Sequence, residues 1–202
     1  MPNADFFGRL GLYAARGFLD RDLCAGIVGE AATCVAHPAP LYAKEGGAQV
    51  AEAFRKTLIA LMSEAHDQAV RQRLSALAPL LERHFDLELA GFEPPHVLRY
   101  PEGCFFRPHV DRLSDEDAPV HLRRRQVSVS IGLNDQADRA GGPGYCGGSL
   151  VFAGLIQDVR AQKFGFPLIG EAGVLIAFPS HMLHEVQAVT YGQRYSIVTW
   201  FF

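Results

Sequence analysis

No apolar run in this 202-residue chain is long enough to span a bilayer; the longest, such as Gly173 to Phe178, stop far short of the roughly 20 residues a transmembrane helix needs. There is no large charge of either sign, and a net charge of −3 gives no electrostatic reason to bind nucleic acid or an anionic membrane. The four cysteines, Cys24, Cys34, Cys104 and Cys146, form no Cys-x-x-Cys pair. The opening Met1-Pro2-Asn3-Ala4-Asp5 lacks the basic start and apolar stretch of a secretion signal, so free thiols and a cytoplasmic protein are expected. No internal repeat or low-complexity linker marks a boundary. What is present is an ordinary soluble composition, 49% hydrophobic and 20% charged, long enough to bury a substantial core. A single domain over residues 1–202 is the expectation, with helical support over about 1–92 and a catalytic core over about 93–202.

The first half reads as helix. Residues 20–36 open on Asp20, a good N-cap, and carry Leu23, Ile27, Val28, Ala31 and Val35 near a 3.6-residue period. Residues 67–85 repeat the pattern with Val70, Leu74, Leu77, Leu81 and Phe85, and Pro79 is expected to kink that helix or start a new turn. Val50 to Met62 suits either a helix or an edge strand. From residue 93 the period becomes two. Val127, Val129, Ile131 and Leu133 alternate with Gln126, Ser128, Ser130 and Gly132, giving one apolar face and one small polar face. Further strands are expected at Ser149–Phe152, Gly173–Phe178, His184–Val189 and Arg194–Phe201, separated by Gly-rich or Pro-containing turns. Together these predict an α+β fold, a sandwich or double-sheet jelly roll with N-terminal helices buttressing one sheet.

The chemistry begins at His109 and Asp111. Two apart on a strand, imidazole and carboxylate point to the same side, as one divalent metal requires. A distant third ligand is available at His184, with His181 as its rival. Two His and one carboxylate on one side of a metal make the facial triad of non-heme Fe(II) oxygenases, which leaves positions open for a cosubstrate and O2. Arg194, ten residues past His184, is suited to grip a carboxylate bidentately, and Ser196 shares its face of the final strand. With Thr190-Tyr191-Gly192-Gln193 as turn material, that strand is expected to pair with the His184 strand as a hairpin. Ser114–Pro119, directly after the first candidate ligands, is either an ordinary loop or a lid. Arg123-Arg124-Arg125 reads as a solvated loop end or as an attractor of acidic substrate, and His37, His66, His84, His96 and His121 as structural or surface residues.

From about residue 96 onward the chain resembles the prolyl 4-hydroxylase branch of the 2-oxoglutarate/Fe(II) dioxygenases. The resemblance is carried by Tyr100-Pro101-x-Gly103, His109-x-Asp111, Val127–Asn134, Gly147-Gly148-Ser149-Leu150, and His184-Glu185-Val186-Gln187 leading to Arg194-Tyr195-Ser196 and Trp200. It implies a double-stranded β-helix, the jelly-roll form. It implies Fe(II) held by His109, Asp111 and His184, and 2-oxoglutarate anchored by Arg194 with Tyr100 and Ser196 beside it. Trp200 would wall the pocket. The implied activity is hydroxylation of an unactivated C–H bond with release of succinate and CO2, using O2 and with ascorbate in a supporting role. The implied partner is a prolyl-containing protein or peptide, or a small amino acid or metabolite. The intact Asp111 argues against a halogenase, since related halogenases lack this carboxylate. Gly132 departs from the oxygen-sensing members, which carry a bulky aromatic residue there; Ser128 or Ser130 is the expected compensation. A metal-dependent sensor with little turnover is the competing class.

Overall fold

The computed structural model describes residues 4–43, 47–155 and 165–202; the first three residues, part of the segment read above as lacking a secretion signal, lie outside. In chain order its first half runs α1 (Ala4–Arg9), β1 (Tyr13–Ala15), α2 (Arg21–Thr33), β2 (His37–Pro38), β3 (Leu41–Ala43), β4 (Gly47–Gln49), β5 (Arg55–Lys56), β6 (Leu58–Ala60) and α3 (Glu64–Phe85). The second half runs β7 (His96–Tyr100), β8 (Phe105–His109), α4 (Val120–Arg124), β9 (Val127–Gly132), β10 (Cys146–Gly147), β11 (Leu150–Phe152), β12 (Phe166–Leu168), β13 (Leu175–Pro179), β14 (His184–Val186), β15 (Val189–Tyr191) and β16 (Arg194–Phe201). Among the described residues, β1-β13-β9-β16-β7-β6-β2 form a seven-stranded sheet and β12-β11-β14-β8-β5 a five-stranded one. The pairings within both are antiparallel, and the double-sheet jelly roll expected from the alternation is present.

Alternation on the large sheet divides two cores. Val127, Val129 and Ile131 of β9, with Tyr195, Ile197 and Phe201 of β16, pack outward against Ile27 and Ala31 of α2 and Val70, Leu74, Leu77 and Leu81 of α3. Leu98 and Tyr100 of β7 and Ile176 and Phe178 of β13 face inward and meet Phe106, Leu150, Phe152 and Val186 of the small sheet. The helices therefore buttress one sheet, as its apolar face requires.

Helix ends follow local chemistry. Asp20 caps α2 by accepting from the Leu23 amide, and Ser63 caps α3 by accepting from the His66 amide. That cap starts α3 a turn earlier than its apolar period suggested. The helix continues through Pro79, so no new helix starts there. Val35, counted in the α2 stripe, lies past the end of the helix and is exposed.

The first half also corrects the helical reading, because it supplies strands to both sheets. β1 closes one edge of the large sheet, β6 and β2 extend the other, and β5 borders the small sheet. Val50 to Met62 took the strand alternative. Such two- and three-residue strands are too short to carry a period of their own, and register against their neighbours defines them. The expected hairpin between the His184 and Arg194 strands does not form. β14 pairs with β8 and β11 in the small sheet, while β16 lies between β7 and β9 in the large one. The two residues therefore stand on opposing sheets with a cavity between. Among the described residues, no helix is long and apolar enough to cross a membrane.

Candidate metal centre

β8 and β14 place the ligand candidates. Their register runs His184 opposite His109 and Val186 opposite Phe106, so β8 has one more residue than its partner between the two pairs. That extra residue is a β-bulge, which accommodates Pro108, a residue that cannot donate to a regular ladder. The bulge brings Phe106 and His109 together; their rings stack with centroids 3.4 Å apart and planes 16° from parallel. Asp111 follows the strand end, and its amide and that of Arg112 both donate to the Ser180 carbonyl at 2.9 Å.

The three side chains converge. His109 Nε2 lies 3.7 Å from Asp111 Oδ1, and His184 Nε2 lies 3.5 Å from Asp111 Oδ2. One nitrogen or oxygen from each residue falls within 4.8 Å of the others. Both rings are oriented from behind. His109 Nδ1 sits 2.8 Å from the Arg107 carbonyl and His184 Nδ1 sits 2.9 Å from the Met182 carbonyl. A carbonyl only accepts, so each Nδ1 carries the proton and each Nε2 presents its lone pair to the centre. His181, the rival third ligand, is exposed and outside the cluster.

Electrostatics agree with a site awaiting a cation. Burial, then the neighbouring His184, pushes His109 down to about 3, so its imidazole stays neutral. Burial pushes the Asp111 carboxyl up, but the two histidines and hydrogen bonds from Ser128 and Trp200 outweigh it, leaving the pKa below the ordinary carboxylate value. Two imidazoles presenting Nε2 and a carboxylate are the donor set a divalent transition metal takes. Ser128 Oγ donates to Asp111 Oδ2 at 2.7 Å and lies 2.9 Å from Ser180 Oγ, which must then donate to it. Ser128 is therefore occupied in holding the carboxylate.

The centre opens into a cavity of about 590 Å³ between the sheets. The inward face of β16 contributes Arg194, Ser196, Val198 and Trp200, at alternate positions. Arg194 is buried, pairs across the strand with Tyr100, and holds its guanidinium 4.9 Å from the Tyr100 ring. Its Nη1 donates to Ser196 Oγ at 3.0 Å, and it also reaches the hydroxyl of Tyr145. Among the described residues it has no carboxylate partner. Arg194, Tyr100 and Ser196 thus share one cavity with the three ligand candidates.

Tyr145 is a residue of this site that no sequence pattern marks. Tyr145 is buried behind Arg194, and Gly148 makes the room: at φ +63° it lies so close that a Cβ would stand 3.2 Å from both Arg194 Cδ and Tyr145 Cε2. At Gly132 a Cβ would meet the Glu171 carbonyl at 2.5 Å, so backbone occupies the space a side chain would take. The arginine run is divided among structural tasks. Arg125 is buried, grips Glu93 through two 2.7 Å bonds and lies 3.6 Å over the Trp200 ring. Arg124 covers Phe202, and Arg123 Nε donates to the Ala118 carbonyl. The solvated reading holds for exposed Arg124, while Arg123 is half-buried and Arg125 buried. His96 and His121, read as structural or surface residues, both line the cavity, as do Leu113, Pro119 and Leu122 flanking or following the Ser114–Pro119 segment.

Residues 95–202 match the family model described as the 2OG-Fe(II) oxygenase superfamily. The chain belongs to this superfamily. The chain is 32% identical over 144 residues to a PKHD-type hydroxylase of Sphingopyxis alaskensis, a match covering 67% of this chain and 58% of that protein. It is 32% identical over 111 residues to a PKHD-type hydroxylase of Shewanella frigidimarina, covering 53% and 42% of the two chains. The matches cover 58% and 42% of these curated relatives, so the chain spans about half of their length. Among solved structures, a Pseudomonas putida prolyl-4-hydroxylase superposes with a TM-score of 0.70 at 26% identity, covering 98% of this chain and 95% of that one. A Trichoplax adhaerens prolyl hydroxylase, solved with a hypoxia-inducible-factor peptide fragment, gives a TM-score of 0.70 at 20% identity over 98% and 86%, a likeness of fold.

Proposed function

We propose that this oxygenase is a 2-oxoglutarate- and Fe(II)-dependent dioxygenase that hydroxylates an unactivated C–H bond, with the residues from the first-half strands to β16 acting as one catalytic domain. One observation carries the reading: a two-histidine, one-carboxylate cluster and a buried arginine that has no carboxylate partner among the described residues open into the same cavity. His109, Asp111 and His184 would hold the iron through Nε2, carboxylate and Nε2. Arg194 would take the distal carboxylate of 2-oxoglutarate. Ser196 holds that guanidinium by accepting from Nη1, and Tyr100 flanks it with a hydroxyl able to donate. When bound, iron with 2-oxoglutarate and O2 supplies oxidative decarboxylation to succinate and CO2 coupled to oxygen insertion into substrate.

The chain's own part is geometric and electrostatic. Ser128 and Trp200 fix the carboxylate, and the backbone carbonyls of Arg107 and Met182 fix the imidazole tautomers. Phe106, Phe152 and Phe178 surround the two histidine rings and keep water from them. Likeness to the Pseudomonas putida prolyl-4-hydroxylase favours a prolyl residue in a protein or peptide as substrate, ahead of a free amino acid or metabolite. A cytoplasmic setting, with neither nucleic acid nor membrane as partner, fits the net charge of −3.

The test is anaerobic addition of Fe(II) and 2-oxoglutarate. A visible charge-transfer band is expected in the unaltered chain and not in His184→Ala; no band in the former, or a persisting band in the latter, refutes the reading. Succinate release stimulated by a proline-containing peptide separates an enzyme from a sensor that binds both groups without sustained turnover.

A further inference from the structure

Arg55 gives the cavity a second guanidinium without a counter-charge. It lies on β5 opposite Phe106 of β8, and cross-strand partners share a face, so its side chain turns inward while Lys56, opposite Phe105, is exposed. The guanidinium sits 4.6 Å from the centre of the Phe106 ring, the ring against which His109 stacks. Its Nη1 donates to the Pro40 carbonyl at 3.2 Å, while Nε is buried with no hydrogen-bond partner. Among the described residues Arg55 has no acidic partner, and Asp111 is the only carboxylate lining the cavity. The other two arginines of the lining are engaged differently: Arg125 is paired with Glu93, and Arg194 is held by Ser196 and Tyr145.

Arg55 as a whole is half-buried, but burying its Nε–H without an acceptor is costly, and the guanidinium faces a cavity that offers no counter-ion beside it. The Phe106 face and one carbonyl offset only part of that cost. Burial accordingly pushes the guanidinium pKa down. A ligand anion supplies what is missing, because a carboxylate accepts from two guanidinium N–H groups along one edge. Position separates this group from Arg194. Arg194 lies on the large sheet beside Tyr100, whereas Arg55 lies at the border of the small sheet, next to the strand carrying His109. Pro40, Leu41, Tyr42, Phe54, Leu113 and Leu122 add apolar or aromatic lining to the same cavity.

We propose that Arg55 is a specificity-determining residue and that the substrate carries a carboxylate, which its guanidinium binds while the reacting carbon is held at the metal centre. This deepens the oxygenase reading and rests on it. The carboxylate has two possible sources, a free acid or an acidic side chain of a peptide, and matched probes distinguish them. The first pair is N-acetylproline and N-acetylprolinamide. The second is a capped proline-containing tetrapeptide with one glutamate and its glutamine counterpart. Trp200, the chain's only tryptophan, lines the cavity, so its fluorescence reports binding without turnover.

The titration uses the chain loaded with redox-inert Zn(II) and 2-oxoglutarate. In at least one pair the carboxylate probe is expected to bind about ten-fold or more tightly than its amide. Arg55→Gln should abolish the preference while changing 2-oxoglutarate affinity by less than about two-fold, because that cosubstrate is held elsewhere. Equal affinities in both pairs, no binding by any probe, a preference surviving in Arg55→Gln, or a parallel loss of 2-oxoglutarate binding overturns the assignment. If Arg55→Gln does not fold, the unaltered chain carries the test: the Arg55 Nε–H resonance should move with the carboxylate probe and not with its amide, and an unmoved resonance overturns it. Loss of the anaerobic Fe(II) band would refute the oxygenase reading but leave these affinities measurable. An intact band without carboxylate preference refutes the Arg55 role alone.

Discussion

At the scale of single residues, the centre depends on side chains that never touch the metal. Ser128 is the clearest, because its hydroxyl proton goes to Asp111 Oδ2 and its oxygen receives Ser180. Ser128→Ala should leave the fold intact and weaken divalent-metal binding by about 10- to 100-fold, the usual effect of removing a group that orients a ligand. Competition titration of Zn(II) against a chromophoric chelator measures it, and an unchanged affinity would mean that Trp200 alone positions the carboxylate. The histidines carry a pH dependence of definite sign. His109 lies near 3 in the folded chain and is unperturbed at 6.5. Between those values the unfolded chain binds more protons, so stability rises with pH. It is complete above about 6.5 and is lost as pH falls toward 3. His96, also lowered by burial, acts in the same direction. The thermal midpoint of the metal-free chain should drop by about 5 °C or more between pH 7 and pH 4.5, and His109→Gln should flatten that slope by calorimetry.

At the scale of elements, alternation along β9 and β16 and the apolar stripes of α2 and α3 were legible because they repeat within one segment. The helix boundaries followed from capping residues: Asp20 was recognised, and Ser63, which was not, moves the start of α3 to Glu64. The bulge in β8 was not legible, since it exists only as a register difference against β14. Gly132 shows how an element answers to its surroundings. Sequence reading marked it as a missing aromatic ring, whereas the structure shows the Glu171 carbonyl occupying the place a side chain would take. Gly132→Ala should therefore destabilise the chain by about 1–3 kcal/mol through overpacking, measurable as a lower urea midpoint. A stability within about 0.5 kcal/mol of the original would show that the segment at Glu171 yields freely.

At the scale of the whole molecule, opposing two sheets lets the chain assemble a site from residues that are remote in sequence. Asp111 and His184 converge across the small sheet, and Arg194 reaches the same cavity from the large one. Because the cluster depends on the folded arrangement, metal binding and folding are linked. Saturating Zn(II) should raise the thermal midpoint by several degrees at pH 7, and the gain should shrink as pH falls and protons compete for the ligands. A gain independent of pH would place the ion on groups other than these histidines. By itself the sequence determined the ligand types, their order and the alternating strands, because residue chemistry and periodicity are properties of neighbouring positions. Only the tertiary structure decided that His184 and Arg194 face each other from separate sheets, that Tyr145 backs the arginine, that Arg125 is paired with Glu93, and that Arg55 enters the cavity without a partner. Each of these depends on contacts between distant segments, which packing and strand register create and local pattern does not encode.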